Sequence, residues 1–235
     1  MNSTQTDFIN RTGEIDKYFN FLVILDKPCN IQSHDNQGNL VSQKIENDLF
    51  IILKANGFIL LYNLIESTVV KSLQEIFNQI TDDGVKYKQL SENLKKLWIN
   101  NKGLSLKGID NININKIREI MRTVADSVVA DEIAQLETSC LNISGNIDAK
   151  EIRSIAKQVG FDEILNGRHL VTIKKKRNDL AHGDFSFGEI GKNYSVNELI
   201  IFKNDAYNYL NSYMTNIATF IADNKYLFTT IASVA

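Results

Sequence analysis

Helix breakers are scarce in this chain. Its 235 residues include one proline and twelve glycines, so long stretches can run as uninterrupted helix. Cysteine is scarcer still. Cys29 and Cys140 lie far apart and outside any metal-ligand spacing. This excludes a disulfide scaffold and reads as two free thiols in a reducing cytoplasm. Three histidines with no paired His, Cys or acidic spacing exclude a structural zinc site, and no metal or cofactor is expected. A formal net charge of −2 and a pI of about 6.0 exclude a generally basic nucleic-acid coat. No apolar run reads as long enough to span a membrane. The start, MNSTQTDFINRTGEID, lacks the basic-then-apolar layout of a signal peptide. A soluble cytoplasmic protein is the expectation. Strand signals of useful length are missing, as are repeats of 20 to 50 residues. Gly103 and Gly108 stand five apart with no Lys-Ser/Thr pair after them, which excludes a phosphate-cradling P-loop.

What is present is helical periodicity. At 43% hydrophobic the chain can bury a sizeable core. Residues 7–26 read as a helix through Ile15, Tyr18, Phe19, Leu22 and Leu25, ended by Pro28 and a polar loop holding His34. Residues 44–81 read as one long helix or two abutting ones, with Asn56-Gly57 as the natural break and Asp82-Asp83-Gly84 as the end. From Phe58 to Ile65 this segment is apolar almost all round, which puts it in the centre of a bundle. A shorter helix comes next over 87–99, with Leu90, Leu94, Leu97 and Trp98 on one side. NKGLSLKGIDNININ is the expected flexible loop. Residues 113–137 return to helix, with Ile117, Ile120, Met121, Val124 and Val128 lining one face. The next helix is capped by Asp148 with Glu151 at the third position, stapled by Ile147 and Ile152, and stopped at Gly160. Ser195 caps the last long helix with Glu198. Leu199, Phe202, Ala206, Tyr209, Tyr213, Ile217 and Phe220 form its inner face. Tyr207, Tyr209 and Tyr213 can be read as base-stacking groups or, more simply, as core or interface. The fold class is all-α: one bundle-like domain over 1–235, with shorter helices inserted between long ones.

Chemistry concentrates in Arg168 to Gly183, RHLVTIKKKRNDLAHG. Leu170, Ile173, Leu180 and Ala181 supply an apolar stripe, and Gly183 is the expected left-handed stop just after His182. Arg177 and His182 differ by about 140° around a straight helix, so only a terminating last turn lets them share one pocket. An imidazole can take a proton from a 2′-hydroxyl or give one to a 5′-oxygen at neutral pH. A guanidinium keeps its charge and fits two phosphate oxygens. Asn178 can orient either group. The residues therefore spell metal-free phosphodiester cleavage. One helix offers this cleft one such imidazole, so a symmetric dimer would supply the second. Lys174, Lys175 and Lys176 form the local basic patch for RNA. Asn63 and Glu66 are the polar exceptions in the central apolar helix. One reading pairs Glu66 with Arg177 or His182; the other sets it at a solvated groove.

At KKKRNDLAHGDFSFGEIG, followed by a long helix, and at LKANGFILLYNLIEST (Leu53 to Thr68), the chain resembles the HEPN superfamily (higher eukaryotes and prokaryotes nucleotide-binding domains), in a prokaryotic nuclease branch. The resemblance implies an all-helical fold and a metal-independent endoribonuclease acting as a homodimer. It also implies a role as a toxin or antiviral-defence effector, with a neutralising antitoxin or defence partner. The family's catalytic Arg, following polar residue and His match Arg177, Asn178 and His182. Other HEPN relatives bind nucleotides or partners without cutting, which is the alternative reading. A further alternative takes SGNIDAKEIRSIAKQVGFD plus Arg168 to Ala181 as a helix-turn-helix that reads DNA.

Overall fold

The computed structural model describes residues 2–28, 30–102, 114–141, 143 and 145–228. Cys29, Gly103 and Gly108 lie outside them. Eight α-helices occur among the described residues, with one small antiparallel hairpin. The chain divides into two compact units. One is built from residues 2–68 and 166–210; the other from 69–165 and from 211 onward. Two long helices, α2 (Asn47–Asp82) and α8 (Val196–Ala222), contribute residues to both.

In the first unit α1 (Asn2–Leu25) lies on the early part of α2. Phe19 and Leu22 are buried at 2% and 0% exposure, as their helical spacing predicts. Asn56-Gly57 does not break α2. The helix runs through it, and a β-carbon on Gly57 would sit 3.4 Å from the Phe19 ring, so the glycine serves close approach rather than a kink. The Tyr18 hydroxyl donates to the Leu53 carbonyl at 2.5 Å across the same contact. Phe58, Leu61, Tyr62, Leu64 and Ile65 are all buried, each worth about 1.5–3 kcal/mol for the larger apolar side chains. Phe58, Tyr194 and Phe202 meet as a three-ring cluster joining α2 to α8.

α2 corrects the expectation about membranes. By length and composition it could cross a bilayer. Within its most apolar stretch 39% is buried inside the protein, including Phe58, Leu61, Leu64 and Ile65, while Leu49 and Ile52 are exposed. A second correction concerns strands. Asn30–His34 and Leu40–Lys44 pair as a hairpin, with Ile31 opposite Gln43 and Ser33 opposite Val41. Every strand residue is exposed, so no buried face left a period-two signal to read. The turn carries the pairing: the Asp35 carboxylate accepts from the Gln37 and Asn39 backbone N–H groups at 2.8 Å, and Gly38 adopts φ +83°. Those bonds hold the Asp35 carboxyl below the usual carboxylate range.

In the second unit α3 (Glu92–Lys102) buries Leu94, Leu97 and Trp98. α5 (Ala149–Val159) starts at Asp148, whose carboxylate accepts from the Lys150 and Glu151 N–H groups. It stops at Gly160, in the left-handed region at φ 104°. Phe161 folds back edge-on to Tyr213 and Phe220. The chain near 226–228 pairs with 87–91: Ser91 N–H bonds Tyr226 O and Phe228 N–H bonds Gln89 O. α4 (Ile114–Val129) departs from its reading at its end. It stops at Val129, not 137, with Asp131 at φ 54° just beyond. The apolar face that its spacing marks is largely bare, with Met121 at 66% exposure. Periodicity identifies an apolar face; it does not say what covers it.

Candidate functional site

The motif lies on α6 (Arg168–Ala181), which is preceded by Gly167 at φ 103°. Leu170, Ile173 and Leu180 are buried and anchor the helix by one face, while Ala181 is exposed at its end. Arg177 is half-buried on the other side. Its guanidinium carbon lies 4.2 Å from the centroid of the Tyr62 ring, which belongs to the most apolar part of α2. Its Nη1 donates to Asn178 Oδ1 at 3.0 Å. A cation over a desolvated aromatic face gains about 0.5–2 kcal/mol. The guanidinium keeps its charge at any pH, and its planar set of N–H donors is the geometry that fits phosphate oxygens.

The helix ends as its sequence dictates. His182 is still right-handed, and its N–H reaches Asn178 O at 2.9 Å. Gly183 turns left-handed at φ 76°, and its N–H bonds Leu180 O. The Phe185 N–H closes onto Asp179 O. The His182 imidazole is exposed, and no hydrogen bond to its ring occurs among the described residues. Arg177 is thus held in place while His182 stands open at the terminus.

The three lysines differ. Lys176 is paired with Asp179 at 3.1 Å and lies 5.7 Å from the Phe185 ring. Lys174 is half-buried and already has a partner. Lys175 is exposed. Asn63 is exposed and lines a cleft of about 230 Å³ with Arg11, Glu14 and Tyr18. Glu66 is half-buried, and among the described residues no ion pair or hydrogen bond joins it to Arg177 or His182.

From its glycines DFSFGEIGKNY reads as a loop over the motif, with backbone N–H groups open to a phosphate; the structure instead forms a short helix there, α7 (Phe187–Gly191). Ser186 and Glu189 cap each other. The N–H groups of Glu189, Ile190 and Lys192 are bonded within this turn, so they do not serve as the phosphate donors expected of a loop. Gly191 lies flat on α2, where a β-carbon would fall 1.9 Å from Ile51 O.

Two features have no signature in the sequence. Tyr62 carries Arg177 but looks like one more apolar residue in its run. His169, on the first turn of α6, is hydrogen-bonded through Nδ1 to the Asp205 carboxylate of α8, with its ring 4.8 Å from Phe202. Eight residues separate it from Arg177, about 12 Å along the helix, so it stands apart from the motif. No spacing in sequence joins His169 to Asp205. Two of the three α8 tyrosines read as base-stacking candidates are closed to bases by burial. Tyr209 and Tyr213 are buried, and the Tyr207 hydroxyl donates to Thr12 O at 3.1 Å. Burial, with the Asp16 carboxylate beside it, pushes the Tyr207 phenol well above its ordinary pKa. Residues 160–167 separate α5 from α6, longer than the three- or four-residue turn of a helix-turn-helix. No group of three or more His, Cys, Asp or Glu suited to a metal occurs among the described residues.

No curated protein and no solved structure matches the chain. The family described as HEPN_MAE_28990-like HEPN matches residues 2–226, nearly the whole length, and takes in both the Leu53 to Thr68 stretch and the motif helix. The helical architecture agrees with it. The chain therefore belongs to this family of HEPN domains, a class that often includes nucleases and toxins.

Proposed function

We propose that the protein is a metal-independent endoribonuclease working as a homodimer in the cytoplasm, a toxin or antiviral-defence effector with a neutralising partner. The observation that carries this reading is that one helix holds a guanidinium against a buried ring, Arg177 over Tyr62, and ends five residues later in an exposed imidazole, His182. The 2′-oxygen of RNA attacks the adjacent phosphorus, and the P–O5′ bond breaks. One imidazole removes the 2′-hydroxyl proton; a second, from the partner protomer, protonates the departing 5′-oxygen. Products are a 2′,3′-cyclic phosphate and a 5′-hydroxyl. Arg177 stabilises the extra negative charge on the phosphorane-like transition state, and Asn178 orients the guanidinium through its Oδ1 contact. Lys175 supplies open positive charge beside the site.

The test is total RNA incubated with purified protein in excess chelator, beside His182→Ala and Arg177→Ala. Cleavage should persist with chelator and fall by about 10²-fold or more in each variant. Activity that needs added metal, or that survives loss of His182, would overturn the assignment.

A further inference from the structure

The basic run on α6 is partly neutralised by Asp179, yet a nuclease of net charge −2 must hold a polyanion somewhere. A better-equipped surface lies in the other unit. α3 and α5 together carry six basic side chains against two acidic ones. Between them runs a cleft of about 350 Å³. Asn93, Lys96 and Asn100 of α3 line it at helical spacing, facing Ser154, Lys157 and Gln158 of α5. No carboxylate is in the lining. The wall is built. Asn93 Nδ2 donates to Lys157 O at 3.1 Å, and Gly160 leaves room for that amide, since a β-carbon there would fall 2.9 Å from it. Buried Leu94, Trp98, Ile155 and Val159 stiffen the two helices from below. Lys96 and Asn100 make no hydrogen bond or ion pair among the described residues. The Lys157 side chain is 71% exposed and forms a solvent-exposed ion pair with Glu163 at 3.6 Å, which a phosphate can displace.

From this we infer that the α3–α5 cleft binds phosphodiester groups of single-stranded RNA, as a contact separate from the α6 chemistry; the inference rests on the nuclease reading. Ammonium and amide N–H donors in a lining that itself holds no carboxylate suit phosphate oxygens and read no base. The contact is therefore sequence-tolerant and salt-sensitive.

The experiment measures fluorescence anisotropy of a labelled RNA oligonucleotide in the His182→Ala background, so that the probe stays intact. Lys96→Gln/Lys157→Gln should weaken binding about tenfold and flatten the log–log salt slope by about 1.4, roughly 0.7 per lost phosphate contact. The charge-matched control Lys17→Gln/Lys192→Gln, outside both helices, should stay within about twofold, and all proteins should melt alike. Unchanged RNA binding in the cleft variant, or an equal loss in the control, overturns the cleft while the nuclease reading stands. A parent protein that binds no RNA overturns both. A parallel ATP titration separates the sources of phosphate. If the cleft variant loses ATP but keeps RNA, the cleft is a mononucleotide site and the RNA assignment falls. Polyglutamate displacing RNA as well as unlabelled RNA does would also overturn it.

Discussion

Arg177 rests on the face of Tyr62, with 4.2 Å between the guanidinium carbon and the ring centroid. The ring is buried, so it cannot swing away, and the guanidinium is registered against the central helix. If that contact aims Arg177 at a phosphate, Tyr62→Leu should keep an apolar though smaller side chain at the site and lose the aromatic platform. We expect kcat to fall about tenfold with little change in KM, since about 1.4 kcal/mol lies within the range for a desolvated cation–π contact. Steady-state kinetics on a defined RNA, with circular dichroism to confirm folding, checks this. An unaltered kcat in a folded variant would remove Tyr62 from the site.

Gly183 is the hinge between the motif helix and the Asp184–Ser186 turn that leads into α7. A β-carbon there meets nothing within 4 Å, so only its φ of +76° calls for glycine. Gly183→Ala should cost about 1 kcal/mol in urea unfolding, and should impair cleavage by moving the adjacent His182. His182→Ala itself should leave stability within about 0.5 kcal/mol, because its imidazole is exposed. A large stability loss in His182→Ala would argue for a structural role instead.

The His169–Asp205 pair ties α6 to α8 inside one unit. Asp205→Asn should lower stability by about 1 kcal/mol, the usual net worth of a hydrogen bond. Cleavage should be untouched, because the pair stands about 12 Å along the helix from Arg177. Thermal melting and RNA assays on the same preparation separate the two effects. A selective loss of activity would place His169 in the chemistry.

Acid sensitivity should come partly from two helix caps. Glu189 accepts from the Ser186 N–H and hydroxyl, and Glu198 from those of Ser195. Those bonds, backbone first, hold both carboxyls below the ordinary value of 4.5. A folded pKa below the unfolded one means stability that is present above about pH 4.5 and lost as pH falls through the folded value. Glu189→Gln/Glu198→Gln should therefore flatten the acid limb of stability below pH 4.5 relative to the parent. Denaturant melts across that range would show it, and an unchanged limb would refute it.

Several local features were legible in the residues because their causes are local. Asp148 and Gly160 bound α5, Ser195 caps α8, and Gly183 ends α6, each from capping or φ requirements within a few residues. The inner face of α8 was legible for the same reason: buried residues recur at helical spacing. The exposed hairpin, the early end of α4 and the bare flank of that helix were not, since each depends on what lies opposite.

By itself the sequence determined a helical chain, the place where the motif helix stops, and the order Arg-Asn-x-x-x-His along it, all set by short-range geometry and residue chemistry. Only the tertiary structure decided that Tyr62 stacks under Arg177, that Asp179 neutralises Lys176, and that α3 and α5 enclose a cationic cleft. Those are encounters between side chains brought together by packing, and their energies depend on burial and orientation that no linear spacing encodes.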